Sequence, residues 1–172
     1  MEDIVAMATH DVRVWSTRIH RGEADGFLKR VSEIGKSSGT EVLVLKGDLV
    51  FGTDHIRSAF YHAKKAIDEG RNSSESISME TLLYASGERQ LSSAIKKMSA
   101  DDETEHVAVV QITPGSLRPD GSWTIMPDVL PSIDRKRLKQ FGIGEDVLRT
   151  VAEEKGIELV LEKVASVDLT KK

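Results

Sequence analysis

Cysteine is absent from this chain of 172 residues. That excludes disulfides, zinc fingers, iron–sulfur ligation and thiol nucleophiles. It fits a reducing compartment, and a cytoplasmic location is expected. Aromatic residues amount to only 5%, so Leu, Ile, Val and Ala must fill any core. No apolar run approaches the roughly 18 residues of a membrane span, so no membrane association is expected. The first ten residues carry Glu2 and Asp3 and no basic region, unlike a signal peptide. Cations are in deficit: 24 Lys and Arg against 28 Asp and Glu, a net charge of −4. A negative balance counts against non-specific coating of nucleic acid.

What is present suits one folded unit. Hydrophobic residues make up 39% of the chain and charged residues 30%, enough for one core and too mixed in sign for disorder. The length fits a single domain over 1–172. Residues 12–19 alternate as a strand does. A helix is expected at 23–35, with Phe27, Leu28, Val31 and Ile34 on one face, broken by the run from Gly35 to Gly39. Val42–Leu45 reads as a buried strand. Ile56, Ala59, Phe60, Ala63 and Ile67 give the cleanest amphipathic helix, with Thr53 or Asp54 as its cap and Gly70 as its stop.

Two further helices are expected at 78–86 and 88–98, with Met79, Leu82, Leu83, Leu91, Ala94, Ile95 and Met98 facing the core. After an acidic loop at 99–105, His106–Ile112 is a β-branched strand. Turn signals at Pro114-Gly115 and Asp120-Gly121 lead to another strand at Trp123–Met126. Asp134 caps a short helix containing Leu138 and Phe141, and a further helix is expected at 145–154. From Ile157 to Val167 the tail keeps helical spacing, although its β-branched content also permits a strand. Strands and helices mix without a βαβ rhythm, which predicts a single α+β domain.

Motifs for chemistry are weak. Gly35-Lys36-Ser37 resembles the end of a phosphate loop, but the required first glycine falls on Arg30 and the preceding segment reads as helix. His55 and His62 lie seven residues apart on one helix, not at the four-residue spacing of metal pairs. No Gly-x-Ser-x-Gly elbow occurs. Asp101-Asp102 and Glu153-Glu154 read as surface charge. No catalytic residue, metal or cofactor is assigned, and the chain is not expected to be an enzyme.

Charge distribution says more. Between His55 and Lys97 lie seven bases and five acids, so this segment is +2 and the remainder −6. Along the helix near 56–67, Arg57, Tyr61 and Lys64 form one polar stripe, with His55, Ser58, His62 and Lys65 beside it. Basic groups interleaved with flat ones suit phosphates and unstacked bases, and equally a solvated helix face. Arg135, Lys136, Arg137 and Lys139 form a second basic cluster.

Two blocks carry a family resemblance. One is Phe51-Gly-Thr-Asp-His55-Ile-Arg-Ser-Ala-Phe-Tyr-His62-Ala-Lys-Lys-Ala. The other is Ser78-Met-Glu80-Thr-Leu-Leu-Tyr84-Ala-Ser-Gly87-Glu-Arg89-Gln90-Leu-Ser-Ser-Ala94-Ile. Together they resemble the family of the human PRPK-binding protein, TPRKB, a subunit of the KEOPS (EKC) complex. The tail from Val160 to Leu169 resembles that family's C-terminal helix. The resemblance covers roughly 45–169, leaves 114–131 unaligned, and looks closest to archaeal members. Its specific part is the Met-Glu…Gly-x-Arg-Gln block.

The resemblance implies a central mixed or antiparallel sheet flanked by helices. It implies a non-catalytic subunit that binds the small atypical kinase/ATPase of KEOPS and supports its activity. It also implies recruitment of tRNA by its 3′ CCA end for threonylcarbamoyladenosine formation, with the transfer carried out by a separate metal-dependent transferase subunit. On this reading His55, Lys64, Arg71, Arg89, Gln90 and Lys96 are the candidates for the tRNA surface. Arg89 could instead brace the Gly87 turn, and Gln90 could be a buried structural amide. Ile143, Leu148 and Val151, with the C-terminal segment, are the candidates for the kinase contact, with core packing as their alternative role.

Overall fold

The computed structural model describes residues 12–112, 117 and 121–171. The turn signals at Pro114-Gly115 and at Asp120, and the first ten residues, lie outside them. Four strands form one antiparallel sheet: β1 (Val12–Arg18), β2 (Glu41–Lys46), β3 (His106–Ile112) and β4 (Thr124–Ile125), in the order β2-β3-β1-β4. β3 lies between β2 and β1, and six of its seven residues are buried. That explains its near-continuous apolar sequence. β1 pairs with it from Val12↔Ile112 to Arg18↔His106.

Period-two alternation sends side chains to two different layers. Val12, Val14, Leu43, Leu45, Ala108, Val110 and Ile112 face the larger core. Trp15, Val44, Val107 and Val109 face a smaller one, closed by Phe27 and Val31 of α1 (Ala24–Ser38) with Leu117 and Trp123. α1 does not break at Gly35. It runs to Ser38 and stops at Gly39, whose φ of 73° supplies the left-handed cap. Gly35 packs closely instead, since a Cβ there would lie 3.1 Å from Thr40 O and a Val42 methyl.

The larger core is covered by α2 (Thr53–Asp68), α3 (Ile77–Ser86), α4 (Leu91–Met98), α5 (Arg135–Phe141), α6 (Glu145–Thr150) and α7 (Gly156–Thr170). The single-domain α+β expectation therefore matches the fold class, with helices on both faces of the sheet. The helix-terminal details differ. Gly52, not Thr53 or Asp54, is the N-cap of α2; Thr53 Oγ1 donates to Met126 O at 2.8 Å. Asp134 caps α5 as expected, accepting from Arg137 N–H at 2.8 Å. α4 begins at Leu91, so Arg89 and Gln90 are connector, and Ile95 is 42% exposed where a core position was expected. α6 ends at Thr150, followed by a 3-10 turn, and the tail is a helix rather than a strand.

Candidate functional site

α3 is buried on every side, with eight of its ten residues enclosed. A helix without an amphipathic pattern belongs inside a protein, and α3 is the hub on which α2, α4 and α7 pack. Its polar residues are all partnered or enclosed. Glu80, fully buried, accepts N–H bonds from Ser73 and Ser74 at 3.0–3.1 Å and pairs with Lys171 at 2.9 Å. The C-terminus is thereby tied to the start of α3. At the far end, Ser86 Oγ donates to Leu83 O and accepts from Glu88 N–H, while Gly87 turns the chain with φ 71°. Lys97 Nζ donates to Ser86 O at 2.6 Å. These bonds fix the 87–90 connector.

His55 is not a surface group. It is fully buried; Phe51 N–H donates to its Nδ1 at 3.2 Å, so Nε2 carries the proton and donates to Ala85 O at 2.8 Å. Burial pushes its pKa down to about 4, against the opposing pull of the Ala85 carbonyl, and the Lys97 charge lowers it further. A neutral imidazole locked in one tautomer bolts α2 to the end of α3 and cannot reach a ligand. This corrects its place among the tRNA candidates.

The other five candidates fall into two groups. Arg89 and Gln90 in the connector and Lys96 on α4 are exposed and close in sequence. Arg89 Nε donates to Thr170 O at 3.2 Å, which braces it against the end of α7 rather than against Gly87. Gln90 is exposed, not a buried amide. Lys64 and Arg71 lie at the other end of α2 and are largely neutralised. Lys64 sits 3.9 Å from Asp68; Arg71 pairs with Glu69 at 2.7 Å and Asp168 at 3.2 Å. The stripe from Arg57 to Lys64 is likewise occupied, since Arg57 bridges Asp54 and Asp128.

Asp168 on α7 collects Tyr84, His62 and Arg71. Burial works against its charge, but hydrogen bonds from Tyr84, Arg71 and His62 hold its carboxyl below the usual range. His62 stacks on Tyr84 at 5.5 Å. Sequence reasoning missed this knot because its members lie up to 106 residues apart.

The expected kinase-contact residues also move. Ile143 and Leu148 are 7% and 4% exposed and belong to the larger core, so they cannot form a docking face. Val151 is half-buried beside Ile133, Leu138 and Leu159. The C-terminal segment, expected beside them at the kinase contact, carries exposed apolar surface on α7. Val160, Val164 and Val167 face inward, while Leu161, Ala165 and Leu169 recur every fourth residue on another side. Leu169 is 89% exposed.

One further constellation borders a cleft of about 550 Å³. Ser16 Oγ lies 2.6 Å from His106 Nε2, and His106 Nδ1 lies 3.1 Å from Asp48. The order is that of a Ser-His-Asp triad. However, Ser16 is mid-ladder, paired with Ala108 on one side and Thr124 on the other. Its neighbouring amides are spent on the sheet, whereas acyl transfer needs free N–H groups aimed at the developing oxyanion. Gly47 permits the close approach, since a Cβ there would fall 2.6 Å from the His106 ring. The relay braces the β1–β3 pair to the turn after β2. Among the described residues no cluster of three or more His, Asp or Glu is placed to hold a metal, and no helix is long and apolar enough to cross a membrane.

The sequence profile of the kinase-binding protein CGI-121 family matches residues 27–139, about two thirds of the chain. The chain belongs to the CGI-121 family of kinase-binding proteins. This is the family that the two sequence blocks resemble. No curated protein matches the chain. The CGI-121 match starts earlier than the resemblance, within α1, and ends in α5. Both blocks lie inside it; the α7 tail lies beyond it.

Proposed function

We propose that this CGI-121-family chain is the non-catalytic subunit of a cytoplasmic KEOPS complex. In this role it binds the small atypical kinase/ATPase and supports its activity. It also recruits tRNA by the 3′ CCA end for threonylcarbamoyladenosine formation, which a separate transferase subunit completes. The observation that carries the kinase half is the second apolar side of α7. A helix that has already buried Val160, Val164 and Val167 gains nothing from exposing Ala165 and Leu169, with Leu161 half-buried beside them, unless a partner covers them.

Support for the RNA half is the connector. Arg89 and Gln90, on a turn pinned by Ser86 and Lys97, and Lys96 on α4 stand exposed with no acidic partner among the described residues. Single-stranded ends need cations for phosphate and amide groups for base edges. Ile95 beside them adds exposed apolar area against which a base can rest.

Co-purification with the small KEOPS kinase, followed by ATPase assays with and without tRNA, tests the reading. A stable pair whose turnover rises with tRNA is expected, and the chain alone hydrolyses no ATP. Intact tRNA should bind more tightly than tRNA lacking CCA. Equal affinity for the two would leave a kinase adaptor with no direct contact to the RNA end.

A further inference from the structure

Two lysines from different helices converge where α5 ends. A Cβ placed on Gly142 would lie 3.3 Å from Lys163 Nζ and 3.7 Å from Lys97 Nζ, so the two ammoniums are less than about 7 Å apart. Gly142 is exposed and has φ 108°, a conformation that favours glycine. Gly87 makes room in the same way, since a Cβ there would meet the Lys163 stem at 3.3 Å. Two glycines thus clear the space into which the lysines reach.

The charge there is not balanced. Lys97 spends bonds on Ser86 O and lies 4.0 Å over the Phe141 ring, with Glu88 at 3.8 Å. Lys163 has no hydrogen-bond or ionic partner for its ammonium among the described residues. Among the described residues Glu88 pairs with Lys97, and no carboxylate pairs with Lys163. Burial pushes the Lys97 pKa down to about 8 against the pull of Glu88, and the nearby Lys163 charge lowers it further.

We propose that Lys97 and Lys163 form a phosphate clamp over Gly142, which takes a backbone phosphate of the RNA held at the Arg89–Gln90 connector. A phosphate accepting a charge-assisted bond of about 2.8 Å on each of two oxygens spans the gap between the ammoniums. The clamp stands beside the connector, because Lys97 is bonded to Ser86 and the Lys163 stem packs on Gly87. The assignment to RNA rests on the tRNA reading above; the oxyanion site itself does not.

The test uses the full-length chain with Lys163→Met, which keeps the packed stem and drops the charge, and Lys163→Arg as the conservative control. Inorganic phosphate, followed by amide NMR, should shift the Gly142 and Gly87 signals of the wild type and the Arg variant, and not of the Met variant. Single-stranded RNA ending in CCA should bind the Met variant about tenfold more weakly, with the salt slope reduced by about 0.7, the loss of one phosphate contact. Absence of any phosphate-dependent shift overturns the site. Phosphate shifts with unchanged RNA affinity overturn its assignment to RNA. If the wild-type chain binds no tRNA, the RNA assignment falls with the earlier reading, and the phosphate titration still decides whether the clamp exists.

Discussion

Single side chains carry much of the constraint here. His55 is neutral inside the fold with a pKa of about 4, against 6.5 unfolded. Between those values the unfolded chain binds a proton that the folded chain does not, so stability falls as pH drops from 6.5 toward 4. The loss should reach roughly 3 kcal/mol at the acid end, measured by urea unfolding across that range. His55→Leu should flatten the dependence and cost about 2–4 kcal/mol at pH 7, because Phe51 N–H and Ala85 O lose their partner. Glu80→Ala should cost about 3–5 kcal/mol in the same assay, since it strands buried Lys171 and the Ser73 and Ser74 amides. Neither burial was legible beforehand. Residue type makes His and Glu read as surface groups, and Lys171 lies 91 residues from its partner.

Elements were legible where their environment is one-sided. α2 shows a clear apolar stripe because one face meets the core and the other meets solvent. α3 shows none, and only its apolar cluster and the turn at Gly87 located it. Apolar residues alone do not separate core from interface. Ile143 and Leu148, expected at the kinase contact, are core, while Ala165 and Leu169 of the C-terminal segment expected beside them are exposed. α7 is the element on which the account turns. Its Asp168 side is tied to α2 and α3, its Thr170 and Lys163 side meets the connector, and Ala165 and Leu169 stay exposed on a third. Asp168→Ala should loosen α7 by cutting its ties to Tyr84, His62 and Arg71. Hydrogen exchange should then rise over 157–170 with little change in the sheet.

At the scale of the whole molecule, the net charge of −4 hides a division of labour. Three cations of the +2 segment, Arg57, Arg71 and Lys64, face carboxylates of the chain itself. Of the others, Arg89 lies in the 87–90 connector and Lys96 on the helix that follows it, both exposed. On the proposed tRNA role the chain would meet RNA at one small place, and its RNA affinity should weaken only modestly with salt, with a slope of about one to three. On the proposed roles, the Ala165–Leu169 side of α7 would take the kinase and the connector on another side the RNA, so the two partners would not compete. Adding saturating kinase should leave the RNA affinity of the chain undiminished in an anisotropy titration.

The most direct measurement is calorimetric titration of the small KEOPS kinase into the wild-type chain and into Ala165→Glu/Leu169→Glu. Both substituted positions are exposed, so the melting temperature should not move. The wild type should form a one-to-one complex, and the double variant should bind at least about 100-fold more weakly, as expected when charge enters the centre of an apolar contact. A double variant that binds the kinase as tightly as the wild type would contradict the account.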